Sequence, residues 1–313
     1  MNAKRARRAV LIALFMVLAA FLVSCVSSDE VAAFASNAAK ALDQGTAIWD
    51  DIPASVLRRL CDANMAKLEF DFKPDTEVCI SNAIEKDDFE TARKERDDLV
   101  AVQKVLIDYF TAINQLAAFG KTSDSDTKSK DDAAQAGKAA TGLAKGKQLT
   151  SGDEANAITG LAGIMVNMFS AGYKVRHLTR EVEEGDKAVA VIADALKRIV
   201  KTDYMFDPQY LSAPDKTGPA SLLDLEANRM RREYRDTNEG ELVLRISWTD
   251  QVAKLSARNC AAKSYVDALQ KIKLGHHELA KHANQLRARD LALTLEPYTT
   301  SLEGLISNVQ KVF

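Results

Sequence analysis

Residues 86–119 read KDDFETARKERDDLVAVQKVLIDYFTAINQLAAF, and within them Leu99, Val102, Leu106, Tyr109, Ile113 and Leu116 recur at steps of three and four. Such steps keep side chains on one face of a 3.6-residue helix, so the stretch predicts a long helix that packs lengthwise on another. Its first turns are mostly charged and are expected to protrude; Gly120 closes it.

The same pattern extends outward in both directions. Residues 29 to about 52 carry Val31, Phe34, Ala38, Leu42 and Trp49 near helical spacing. Pro53 suits the first turn of a new helix, where its missing N–H costs nothing, and this helix, with Val56, Leu57, Leu60 and Cys61, is expected to end before Pro74. A second seam runs through Ile158, Leu161, Met165, Met168, Gly172 and Val175 and resumes at Val182, Val189, Ile192, Leu196 and Ile199. Unbroken over 154–202, it would reach about 70 Å at 1.5 Å per residue. A further long stretch, 241 to about 295, holds Val252, Leu255, Ala262, Val266, Leu269 and Ile272; Pro297 marks a junction before a closing helix to Phe313.

Between these stretches, residues 121–150 read as a flexible or weakly helical insert. KTSDSDTKSKDD has no apolar residue to offset the entropy of ordering, and Gly137, Gly142 and Gly146 interrupt the alanine-rich run that follows. Residues 203–220, with Pro208, Pro214 and Pro219, read as a loop. KLEFDF (67–72) and ELVLRISW (241–248) alternate apolar and polar residues and leave room for one short β-hairpin, with no further strands to build a sheet. The expected fold is all-α, an elongated antiparallel bundle of long helices. Only six prolines and fourteen glycines in 313 residues agree with that.

At the start of the chain, MNAKRARR places Lys4, Arg5, Arg7 and Arg8 ahead of an uncharged run of sixteen residues, 9–24. This is the order of a basic and an apolar region in an export signal, and the run falls short of the roughly 20 residues a membrane-spanning helix needs. Leu22-Val23-Ser24-Cys25 then resembles the lipobox of bacterial lipoproteins, a resemblance that covers about the first 25 residues. It implies that 1–24 is a signal peptide, that the Cys25 thiol receives a diacylglycerol, and that the chain is cut before Cys25 and acylated on the new amino group. Several acyl chains on one residue hold a bilayer firmly where one chain holds it marginally. Residues 25–30 then form a lipidated tether and 31–313 a helical domain whose first partner is the lipid bilayer. Val26 stands where an aspartate would signal inner-membrane retention. The resemblance thus implies the outer membrane facing the periplasm in a Gram-negative host, and otherwise the outer face of the cell membrane.

Residues 1–24 hold four of the 42 basic residues and none of the 44 acidic ones, so their removal takes the net charge from −2 to −6. An acidic domain argues against nucleic acid as a partner. Three further cysteines remain. A Cys61–Cys79 disulfide, eighteen positions apart across Pro74, would staple consecutive helical segments and contribute about 3 kcal/mol. Cys260 is expected to be a buried small hydrophobe.

Motifs for chemistry fail on spacing. In HHELAKH, His277 and His282 are five apart, about 140° around a helix, whereas the zincin pair sits one turn apart. Glu278 and His282 share a face, and the segment reads as a solvated histidine-rich turn. GLAKGKQL from Gly142 lacks the spacing and hydroxyl of a phosphate loop, and the run from Asp124 puts Lys128 at a calcium-ligand position. No G-x-S-x-G elbow occurs, and Asp97 with Asp98 lies in charged helical surface. No metal, cofactor or catalytic residue is assigned, and the expected function is a non-enzymatic, membrane-anchored scaffold that binds a protein. Two other readings stand beside it. Residues 155–173, nineteen positions without a charge, could insert into a membrane. The acidic domain could also neutralise a toxin, as an immunity-type lipoprotein does.

Overall fold

The computed structural model describes the backbone of residues 3–65, 83–119, 131, 134–135, 138, 152–169, 178–205, 221–228, 241–283 and 289–313. Side chains are described from residue 29 onward within those ranges, leaving aside 61–65, 83, 119, 241–248 and 289. The elements are α1 (Ala3–Met65), α2 (Ala83–Phe119), α3 (Gly152–Met168), α4 (Leu178–Ile199) with a π-helical turn (Val200–Tyr204), α5 (222–228), α6 (Glu241–Lys281) and α7 (Arg289–Gln310). Among the described residues no strand occurs.

The chain is an all-α bundle. Each long helix packs on the next around a ring, α1, α2, α3, α4, α6, α7 and back to α1, and α1 also meets α6 across the middle. Neighbours run antiparallel where side chains report direction. Phe34 meets Phe110 while Asp50 bonds Arg96 between α1 and α2, and Lys273 reaches Asp194 while His277 reaches Asp186 between α6 and α4. The seam of α2 is buried from Leu99 to Leu116, and so are Val31, Phe34, Ala38, Leu42 and Trp49 on α1 and Leu255, Ala262, Val266, Leu269 and Ile272 on α6. One continuous hydrophobic core joins them.

Five features differ from the sequence expectation, because packing outweighs a local signal. Pro53 and Pro297 lie inside α1 and α7 and do not begin helices. Each removes one backbone donor, but the buried stripe continues in register across it, Trp49, Ile52 and Val56 in the first case and Leu291, Leu295 and Leu302 in the second. Residues 241–248 open α6 as helix, since a lone hairpin is marginal and a long helix gains a bond with each added residue. KLEFDF lies outside the described residues. The seam of 154–202 is two helices folded back on each other, with Glu154 at the start of α3 paired to Arg198 near the end of α4 at 3.2 Å. Both halves thereby bury their stripes in one core. The stretch 241–295 likewise divides after Lys281, where Thr179 Oγ1 donates to the Ala283 carbonyl at 3.2 Å and satisfies an end group that the helix leaves open.

A buried polar residue fixes the register of three helices. Gln103 on α2 is fully buried; its Nε2 donates to the Leu42 carbonyl at 2.7 Å and to Thr46 Oγ1 at 2.8 Å, and its Oε1 accepts from Trp49 Nε1 at 2.7 Å and from the Tyr265 hydroxyl. An amide has two donors and two useful acceptor positions, so its capacity is used in full. The Trp49 and Tyr265 rings meet edge to face with centroids 5.8 Å apart. Gly45 makes room for this, because a Cβ there would stand 2.1 Å from the Tyr265 ring.

Replacing Gln103 with Leu keeps the volume and strands the Trp49 indole N–H and the Tyr265 hydroxyl in apolar surroundings. The expected loss is about 3 kcal/mol of unfolding free energy, measured by urea denaturation.

Candidate functional site

The C-terminus of α4 widens into the π-helical turn, a geometry that tends to occur where a helix serves a site. The single Thr202 hydroxyl proton is shared between the Arg198 carbonyl at 3.0 Å and Asp203 Oδ1 at 2.7 Å, and Met205, in extended conformation, returns its N–H to the Val200 carbonyl at 2.9 Å. The turn brings Tyr204 inward, where its buried hydroxyl donates to Asp51 Oδ2 at 2.6 Å. Burial and the neighbouring carboxylate hold this phenol far above its ordinary pKa, so it acts as a donor.

Asp51 belongs to a cluster of two carboxylates and two guanidiniums. Arg58 Nη2 lies 2.8 Å from Asp51 Oδ1 and its Nε 2.6 Å from Glu226 Oε1. Arg258 Nη2 lies 2.9 Å from Glu226 Oε2, with its Nη1 3.6 Å from Asp51 Oδ2. Ser55 Oγ adds a bond to Glu226 Oε1 at 3.1 Å. Burial alone would lower the Arg58 pKa, but Asp51 and Glu226 outweigh it and hold the guanidinium above its usual value. Glu226 is delivered by α5, whose start is a capping box. Ser221 Oγ accepts from the Asp224 N–H at 3.1 Å, and Asp224 Oδ2 accepts from the Ser221 N–H at 3.1 Å and from the Ser221 hydroxyl at 2.8 Å.

Above this cluster opens a pocket of about 430 Å³ between α1, the first turns of α2, the π turn and α5. Trp49, Ile52 and Tyr204, all buried, stand behind its wall, where Leu60 and Leu222 are partly exposed; Arg59, Asp88, Glu95 and Asp203 bring charge to its lining. Such a mixture suits recognition.

A second polar cluster lies in the core between α2, α4 and α6. His276 is fully buried, its Nε2 2.8 Å from the Tyr109 hydroxyl and its Nδ1 3.2 Å from Asp186 Oδ1; His277 Nδ1 stands 2.9 Å from Asp186 Oδ2. The neutral tautomer with hydrogen on Nδ1 satisfies every contact, donating to Asp186 and accepting from Tyr109. Gly185 gives the tyrosine its place, as a Cβ there would sit 2.5 Å from its hydroxyl. Burial lowers the His276 pKa, against the pull of Asp186. The His276 hydrogen bond is the main reason the Asp186 pKa is low, and it outweighs that group's own partial burial.

His276 corrects the solvated-turn reading of HHELAKH: adjacent histidines on a helix point about 100° apart, so one is buried and the other exposed. The signal was present, because His276 continues the seam of Leu269 and Ile272 by four residues. His282 Nδ1 turns to the Glu278 carbonyl at 3.0 Å. Among the described residues, no three His, Cys, Asp or Glu side chains group as metal ligands. Cys260 is exposed, free and outside the core, contrary to its expected burial, because it lies off the α6 stripe formed by Ala262 and Val266. Cys25 and Cys61 lie on the α1 backbone with side chains outside the description; Cys79 and nearly all of 121–150 lie outside the described residues. Of 155–173, Ile158, Leu161, Ala162, Met165, Met168 and Phe169 are buried in the bundle, while Asn156, Thr159, Gly160, Gly163 and Asn167 are exposed. Among the described residues no helix is long and apolar enough to cross a membrane. Asp98 pairs with Lys94 at 3.0 Å on the surface of α2.

Comparison with protein-family models, with curated proteins and with solved structures finds no match. Sequence reasoning did not anticipate Gln103, Asp51, Glu226 or Tyr204, because each is a polar residue adjoining, not replacing, an apolar stripe.

Two outcomes follow. Arg258→Met leaves Asp51 and Glu226 with one guanidinium between them and should cost about 3 kcal/mol in urea denaturation. For pH, a His276 pKa lower in the fold means that the unfolded chain takes up a proton first. Stability is therefore full above the ordinary value of 6.5 and falls as pH drops below it, with a further fall below 3.8 as Asp186 protonates. Unfolding free energy should decline more steeply from about pH 7 to 5 in the wild type than in His276→Gln.

Proposed function

We propose that this chain is an extracytoplasmic lipoprotein, held to the outer membrane on its periplasmic side by acyl groups on Cys25, whose helical domain is a non-enzymatic scaffold for a partner protein. The observation that carries the reading is the order of basic residues, apolar run and Leu22-Val23-Ser24-Cys25. Three features support it. The α1 backbone is helical from Cys25 into the core, where Val31 and Phe34 are buried. Six helical residues cover only about 9 Å, so the anchor leads almost directly into the bundle and holds it near the bilayer. Among the described residues, the cluster best suited to proton chemistry, His276 with Tyr109 and Asp186, has its imidazole and phenol buried. The ring of packed helices leaves the outer face of each helix to solvent, the kind of surface a scaffold offers a partner protein.

The expected outcome in a Gram-negative host is a chain beginning at Cys25, carrying added acyl mass and sedimenting with the outer membrane. The Cys25→Ala variant should keep residues 1–24 or leave the membrane fraction. An uncleaved or unacylated wild-type chain, read by intact mass, would overturn the anchor.

A further inference from the structure

We draw no further inference here: the strongest candidate, the uncharged outer face of α3 (Asn156, Thr159, Gly160 and Gly163) with the shallow groove beside it between α3 and α4, is a stripe of small residues, and nothing in the structure shows what covers it.

Discussion

The side-chain amide of Gln103 uses all four of its hydrogen-bonding positions inside the core, and the arrangement of α1, α2 and α6 depends on it. Apolar stripes tell a helix which face to bury but tolerate sliding by a turn along the partner. A buried amide does not tolerate it, because each displaced contact leaves a polar group without a partner in a place that water cannot reach. Leu42, Thr46 and Trp49 lie on one face of α1, Gly45 beside them admits the Tyr265 ring, and Gln103 closes the set from α2.

Two further polar layers repeat this logic along the same helices. On α6, Arg258, Tyr265 and His276 mark the charge cluster, the Gln103 layer and the imidazole layer in order, at intervals of about 10 and 16 Å along the axis. α1 follows in the reverse sense, with Asp51, Ser55 and Arg58 at one end, Leu42 to Trp49 in the middle and Phe34 against Phe110 near His276 at the other. Each layer ties α6 to different neighbours, so together they set the register of the ring. The pocket lies where the charge cluster approaches the surface, and the π turn is the local distortion that lets Tyr204 reach Asp51.

Much of the fold was legible because stripe periodicity and burial are the same fact seen twice. Leu99 to Leu116 and Leu255 to Ile272 needed no further information. The errors came where a local signal was given more weight than the stripe around it, as with Pro53, Pro297 and the alternation at 241–248. The candidate site was mostly illegible. Asp51, Glu226, Tyr204 and Gln103 come from four separate segments, and a polar residue beside a stripe looks the same whether it faces solvent or a partner from another helix. His276 was read as solvated although its spacing of four from Ile272 continues the stripe that the structure buries.

The central claim is that the Gln103 layer is the last part of the fold to yield. Native-state hydrogen exchange on the amides of residues 42–49, 99–106 and 262–269 tests it most directly. The account predicts that these amides exchange only through global unfolding, with an opening free energy equal to that from denaturant titration. Exchange there through local opening, at lower free energy than in α3 or α7, would contradict it.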